Sequence, residues 1–205
     1  MALKKSTSVA IVCTLGIFAG FALLAWLPNV LRKTSFEVNS PKTPTAAATQ
    51  MPLDTVLPVV TTGRGGEAVA TAKASLASYL PSPDGTLIVN LWATWCPPCV
   101  QELPSIEFLN RQLNESKSNK IGLLTISVDD ALGDLTALFG TMDFRPSFST
   151  LWDKSGVFST TVGTVRFPET YWVDHTGKIL YKWLGPQDWM SADVIGRLKS
   201  ISQAR

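Results

Sequence analysis

The sequence predicts an α/β sandwich, a mixed β-sheet flanked by helices, on three observations. Two short, almost wholly apolar runs, Thr86 to Trp92 and Ile121 to Val128, read as strands buried on both faces. Each is followed by a segment that reads as a helix, the first with apolar residues at core spacing. Thr170 to Val173 and Ile179 to Trp183 flank Asp174-His175-Thr176-Gly177-Lys178, the pattern of an antiparallel hairpin with a glycine turn. The order strand, helix, strand, helix, hairpin, helix requires both parallel and antiparallel neighbours in one sheet.

At the N-terminus, residues 1–8 carry Lys4 and Lys5 ahead of Val9 to Leu27, an uncharged stretch of about the length of a membrane-crossing helix. Trp26 suits an interfacial anchor. A cleaved leader would have a shorter apolar core and a small-residue site directly after it, whereas Ala46-Ala47-Ala48 lies far downstream. The expectation is an uncleaved anchor over 9–27, with residues 1–8 inside. Cys13 reads as a small apolar residue of that helix. Residues 28–55, rich in Pro, Thr, Ala and Ser, read as an extended tether, and 56–205 as the globular domain.

Within that domain, Glu67 to Leu80 has helix-like spacing through Val69, Leu76 and Leu80, and Pro81-Ser82-Pro83-Asp84-Gly85 ends it as a turn. Thr86 to Trp92 is the central strand. Pro97 to about Lys117 is a helix with Leu103, Ile106, Leu109 and Leu113 on its core face, kinked at Pro104. Ile121 to Val128 is a second strand, Ala131 to Phe139 a helix, Phe148 to Trp152 a short strand, and Ser191 to Ser202 a closing helix.

The chain has 205 residues and a formal charge of +2, with no basic patch interleaved with aromatics, so nothing points to nucleic acid. Of three cysteines, two form Cys96-Pro97-Pro98-Cys99 between the central strand and the helix. With His175 as the one histidine and no second such pair, a four-ligand zinc site is hard to assemble, and no metal is expected. No flavin or nicotinamide fingerprint is present, and no cofactor is expected.

Dithiol redox chemistry fits this placement. With Cys96 at the helix N-cap, unpaired N–H groups and the helix dipole point at its sulfur and favour the thiolate. A cysteine of ordinary pKa, about 8.5, can fall to about 7 or below in such a setting. Cys96 is then the nucleophile and Cys99, one turn in, the resolving thiol of a Cys96–Cys99 disulfide. Pro97 and Pro98 fit the first turn, where a missing N–H costs no helix bond, but they remove two donors to the thiolate. That tilts the pair toward a reducing poise. Glu102 reads either as a solvated surface acid or as a partly buried proton shuttle. Trp92 reads as core, Trp95 as an exposed lip for substrate, and His175 as a turn residue. Pro168 reads locally as a strand-entry proline.

Residues Asn90 to Glu102, with Phe167-Pro168-Glu169-Thr170 and Trp172 to Ile179, resemble the membrane-anchored thioredoxin-like reductases of the TlpA/ResA/CcmG type. The resemblance spans roughly residues 56 to 203, and Pro168-Glu169-Thr170 is similar to the cytochrome c maturation branch. It implies a thioredoxin-like fold, an extracytoplasmic domain facing the periplasm from the inner membrane, a cis Pro168, and Glu102 as the active-site acid. Trp95, Pro97, Pro98, Phe167, Pro168 and Glu169 are the candidate substrate contacts. Thioredoxin proper has a buried Asp at the position of Asn90, which cannot titrate. The implied activity is reduction of disulfides in partner proteins, such as apocytochromes c or copper-site cysteines, with electrons from a membrane dithiol donor. A disulfide-forming oxidant or isomerase, and a copper(I)-binding protein using both thiols, are the rival readings.

Overall fold

The computed structural model describes residues 50–63, 66–115 and 120–203. The anchor expected over 9–27, Cys13 and most of the tether lie outside the described residues. Among the described residues, no helix is long and apolar enough to cross a membrane.

Seven strands form one mixed sheet: β1 (Val56–Thr62), β2 (Ala68–Ser75), β3 (Thr86–Trp92), β4 (Ile121–Ser127), β5 (Ser149–Trp152), β6 (Glu169–Asp174) and β7 (Ile179–Leu184). Their order is β2-β1-β5-β4-β3-β6-β7. The β3–β4 and β4–β5 pairs are parallel, and the other four are antiparallel. Among the described residues, four α-helices accompany it: α1 (Pro97–Glu115), α2 (Leu132–Thr141), α3 (Val157–Thr161) and α4 (Ala192–Gln203). This is the mixed-sheet α/β arrangement that the element order predicted and the thioredoxin-like fold that the resemblance implied.

β3 is buried at every residue, as its apolar run required. Successive side chains of a strand alternate between faces, so Leu87, Val89 and Leu91 enter one core while Ile88 and Trp92 enter the other. The second core holds Leu103, Ile106 and Leu109 of α1 and Val194 and Leu198 of α4. Trp172, Trp183 and Trp189 pack there in contact, with centroids 6.3 and 5.4 Å apart in sequence order. Each fully buried side chain of this size contributes about 2 kcal/mol or more. Pro104 removes the amide that would bond the Val100 carbonyl, yet α1 continues past it to Glu115.

The helix expected over Glu67 to Leu80 is instead strand β2 followed by a short 3-10 turn, Leu76–Tyr79. The segment offered only three apolar residues at helical spacing. It pairs in antiparallel register with β1, a strand the sequence reading did not find. Backbone pairing with a neighbouring strand overrides weak local helical preference. Helix α3 was also not expected; Asp153 caps it, accepting from the N–H groups of Phe158 at 3.3 Å and Ser159 at 2.8 Å.

The boundary at Val56 is corrected too. Met51 and Leu53, assigned to the tether, are buried in the core on the far side of the sheet from α1. The Met51 N–H donates to the Gly177 carbonyl at 2.7 Å. Gly177 has φ +87°, and a Cβ there would lie 2.3 Å from the Met51 oxygen. Only glycine allows both the hairpin turn and this close approach.

Candidate active site

α1 begins at Pro97, which makes Cys96 its N-cap residue; the Cys96 carbonyl accepts the Val100 N–H at 3.1 Å. The two sulfurs are bonded to each other, with Cα atoms 5.3 Å apart. The Cys99 N–H lies 3.3 Å from the Cys96 sulfur and directs its proton there. Pro97 and Pro98 carry no N–H, so of the first three helical residues only Cys99 supplies a donor. Cys96 is 5% exposed and Cys99 0%. Pro97 is exposed and Pro98 half-buried.

The loop entering the helix is held from β4. Buried Asp129 accepts the Thr94 N–H at 2.9 Å, the Thr94 hydroxyl at 2.6 Å and the Ser127 hydroxyl at 2.7 Å. Its carbonyl accepts the Trp152 indole N–H at 2.7 Å. Asp129 directly follows the strand expected over Ile121 to Val128 and was not singled out from sequence. Its placement at the C-terminal end of a buried strand, on the edge where β3 delivers the cysteines, was the available signal.

Trp95 is 60% exposed and meets Phe167 edge to face, with centroids 5.7 Å apart. The Phe167–Pro168 peptide is cis, and Pro168 is buried. The Pro168 carbonyl accepts the Gly185 N–H at 2.9 Å. Glu169 is not a surface contact. Its side chain is buried, and Oε2 pairs with Lys182 Nζ at 2.8 Å and accepts the Tyr171 hydroxyl at 3.0 Å. Alternation along β6 puts Glu169 and Tyr171 on one face of the sheet and Thr170 and Trp172 on the other. His175 is exposed in the hairpin turn.

Glu102 is 4% exposed, which removes the surface-acid reading. Oε1 accepts the Asn90 side-chain N–H at 2.8 Å. Oε2 accepts the Gln187 backbone N–H at 3.0 Å and the Trp189 indole N–H at 3.3 Å. Burial pushes its pKa up to about 7, against the opposing pull of the Gln187, Asn90 and Trp189 donors. A cleft of about 350 Å3, lined by Gln101, Glu102, Ser105, Pro186, Gln187 and Asp188, opens beside it. Asn90 also donates to the Thr170 hydroxyl at 2.9 Å. Thr170, Gln187 and Trp189 were not singled out from sequence.

Residues 59–195 match the family model described as Redoxin. A thiol:disulfide interchange protein DsbE homolog of Paracoccus denitrificans (strain Pd 1222) is 29% identical over 123 residues, covering 59% of this chain and 63% of its own length. The thiol-disulfide oxidoreductase ResA of Bacillus thuringiensis subsp. konkukian is 25% identical over 101 residues, covering 49% of this chain and 56% of its own. The chain thus spans between about half and two thirds of the curated relatives it matches. Among solved structures, a Chlorobium tepidum protein assigned as a thiol:disulfide interchange protein DsbE superposes with TM-score 0.57 at 20% identity, covering 78% of this chain and 99% of that one. A secreted Mycobacterium tuberculosis disulfide oxidoreductase homologous to E. coli DsbE does so with TM-score 0.52 at 19% identity, covering 72% and 96%. These structural likenesses carry the fold.

Proposed function

Because this chain belongs to the Redoxin family and seats a bonded cysteine pair at the start of a helix, we propose that it is a thiol–disulfide oxidoreductase that reduces disulfides in partner proteins. The bonded pair, with Cys96, at 5% exposure, the less buried of the two residues, is the observation that carries this reading. The named activities of the DsbE and ResA relatives support it. In the reduced enzyme, the Cys96 thiolate attacks one sulfur of a substrate disulfide. That S–S bond breaks, a mixed disulfide forms, and one substrate thiolate leaves with the electron pair. Cys99, once deprotonated, attacks the Cys96 sulfur. The second substrate thiol departs, and the Cys96–Cys99 bond seen here is formed. Two electrons have passed to the substrate.

Glu102 lies one turn beyond Cys99 on the buried face of α1 and holds a pKa of about 7. It takes the Cys99 proton and exchanges it with solvent through the cleft at Gln187. Trp95 and Phe167 form the apolar lip for the substrate chain, with Pro97 beside it. With Pro97 and Pro98 lacking N–H groups, the Cys96 thiolate is held by few donors, which supports a reducing poise.

The proposed setting is the periplasmic face of the inner membrane, with 9–27 as anchor and a membrane dithiol returning the electrons. Apocytochromes c or copper-site cysteines are the proposed substrates, on the resemblance of Pro168-Glu169-Thr170 to the cytochrome c maturation branch. The test is capture in cells with Cys99→Ser, which blocks resolution. Substrate proteins should accumulate in mixed disulfides with Cys96. A Cys96 that alkylates readily yet captures no protein would overturn the proposal.

A further inference from the structure

We propose that Asn90 is a positioning residue of this proton relay: its side-chain amide turns over when Glu102 gains a proton, and this directs the proton to Glu102 Oε1. The proposal rests on the reading of Glu102 as a proton carrier. Its own support is the pattern of donors around the carboxyl group.

As an acceptor, the Glu102 carboxylate is surrounded by N–H groups: Asn90 Nδ2 on Oε1, and the Gln187 backbone and Trp189 indole on Oε2. A protonated carboxyl must donate, so it needs an acceptor in reach. The Gln187 amide and the Trp189 indole can only donate. A proton on Oε2 would point at one of these two hydrogens. The Asn90 amide is different, because rotation about its last side-chain bond exchanges oxygen and nitrogen.

The oxygen needed is in place and idle. Asn90 is 1% exposed, and its Oδ1 is buried with no hydrogen-bond partner. Leaving such an acceptor unmade costs about 1–3 kcal/mol. Its Nδ2 donates to both Glu102 Oε1 and Thr170 Oγ1. After rotation, Oδ1 would occupy that position and accept from the Glu102 Oε1 proton and from the Thr170 hydroxyl, which can donate as well as accept. Each orientation leaves one end of the amide unpaired, Oδ1 in the charged state and Nδ2 in the neutral one. Both protonation states therefore find a partner on Oε1, and neither orientation is locked in. An Asp at this position would instead set a second carboxylate against Glu102.

The Glu102 carboxyl is bonded by Asn90 from β3 and by Gln187 and Trp189 from the 185–191 loop; Thr170 of β6 is linked to it through Asn90, and the Cys96–Cys99 pair lies a turn earlier on α1. Exposed Asp188 also lines the cleft. In the oxidised protein the cysteines do not titrate, so the uptake of a proton by Glu102 can be followed separately.

The experiment is NMR of the oxidised full chain, labelled at asparagine side-chain nitrogens and glutamate carboxyl carbons, through a pH titration. Above the Glu102 midpoint, the Asn90 amide protons should show cross-peaks to the Thr170 methyl and the Glu102 methylenes. Below it those cross-peaks should vanish, with the same midpoint as the Glu102 carboxyl carbon. Persistence of the cross-peaks while Glu102 titrates would overturn the switch and leave the relay standing. The relay itself falls if Glu102→Gln leaves the pH–rate profile of disulfide exchange unchanged. A Glu102 carboxyl that fails to titrate between about pH 5 and pH 9 would remove both. Asn90→Asp gives a second reading: two carboxyls sharing one proton should split the single step in two, the upper displaced upward by at least about one unit. One step at the original midpoint would contradict the contact.

Discussion

Glu102 concentrates an energetic cost in one buried side chain. Its folded pKa, about 7, lies above the ordinary 4.5, so the folded state binds more protons than the unfolded chain between those values. Stability therefore falls as pH rises from 4.5 to 7 and levels off above it, by about 3 kcal/mol in all. Glu102→Gln should abolish this slope in the oxidised protein, measured by denaturant unfolding at the two ends of the range. An unchanged slope would mean that the carboxyl titrates normally. The cysteines were legible because their signal is local: two thiols at the start of one helix. The burial of Glu102 was not, because the Gln187 and Trp189 donors lie 85 and 87 positions along the chain. Glu169 misled for the opposite reason. Phe167, two positions earlier, packs on exposed Trp95, but alternation along β6 turns the Glu169 carboxylate to the face it shares with Tyr171.

Paired elements explain which segments the sequence misrepresented. β3 and β4 were legible because burial on both faces writes itself as a continuous apolar run. β2, an edge strand of small and polar residues, has no such run, and its pairing with β1 appears only in three dimensions. At the other edge, the Glu169–Lys182 pair ties β6 to β7, and Lys182 Nζ also lies 4.6 Å from the centre of the Tyr171 ring. Removing one partner strands a buried charge. Lys182→Met should cost about 3 kcal/mol, and adding Glu169→Gln should recover much of it. Thermal unfolding of the single and double variants checks this, and an equal loss in both would assign the cost to packing. The loop at Thr94 depends on β4 in the same way. Asp129→Ala leaves the Thr94 N–H and two hydroxyls without their acceptor and should destabilise by about 2 kcal/mol, read by urea unfolding.

On the scale of the whole molecule, the sheet is closed from behind by the residues that enter it. Met51 is 1% exposed against the hairpin, so a chain begun at Val56 lacks part of its core. Met51→Ala should cost about 3 kcal/mol in denaturant unfolding, and truncation to Val56 at least as much; a loss well under 1 kcal/mol would show that the segment merely rests there. The composition of residues 28–55 concealed this, since one buried methionine among prolines and threonines leaves no periodic signal. The fold holds Cys96 at a helix N-cap with few donors, Cys99 buried behind it, and an acid of near-neutral pKa a turn further on. On the proposed reading as a reductase, such a pair should give electrons readily. The reduction potential of Cys96–Cys99, equilibrated against glutathione, tests this most directly. A reversible two-electron couple more negative than about −180 mV is predicted, and a value near −120 mV, or no reversible couple, would contradict the account.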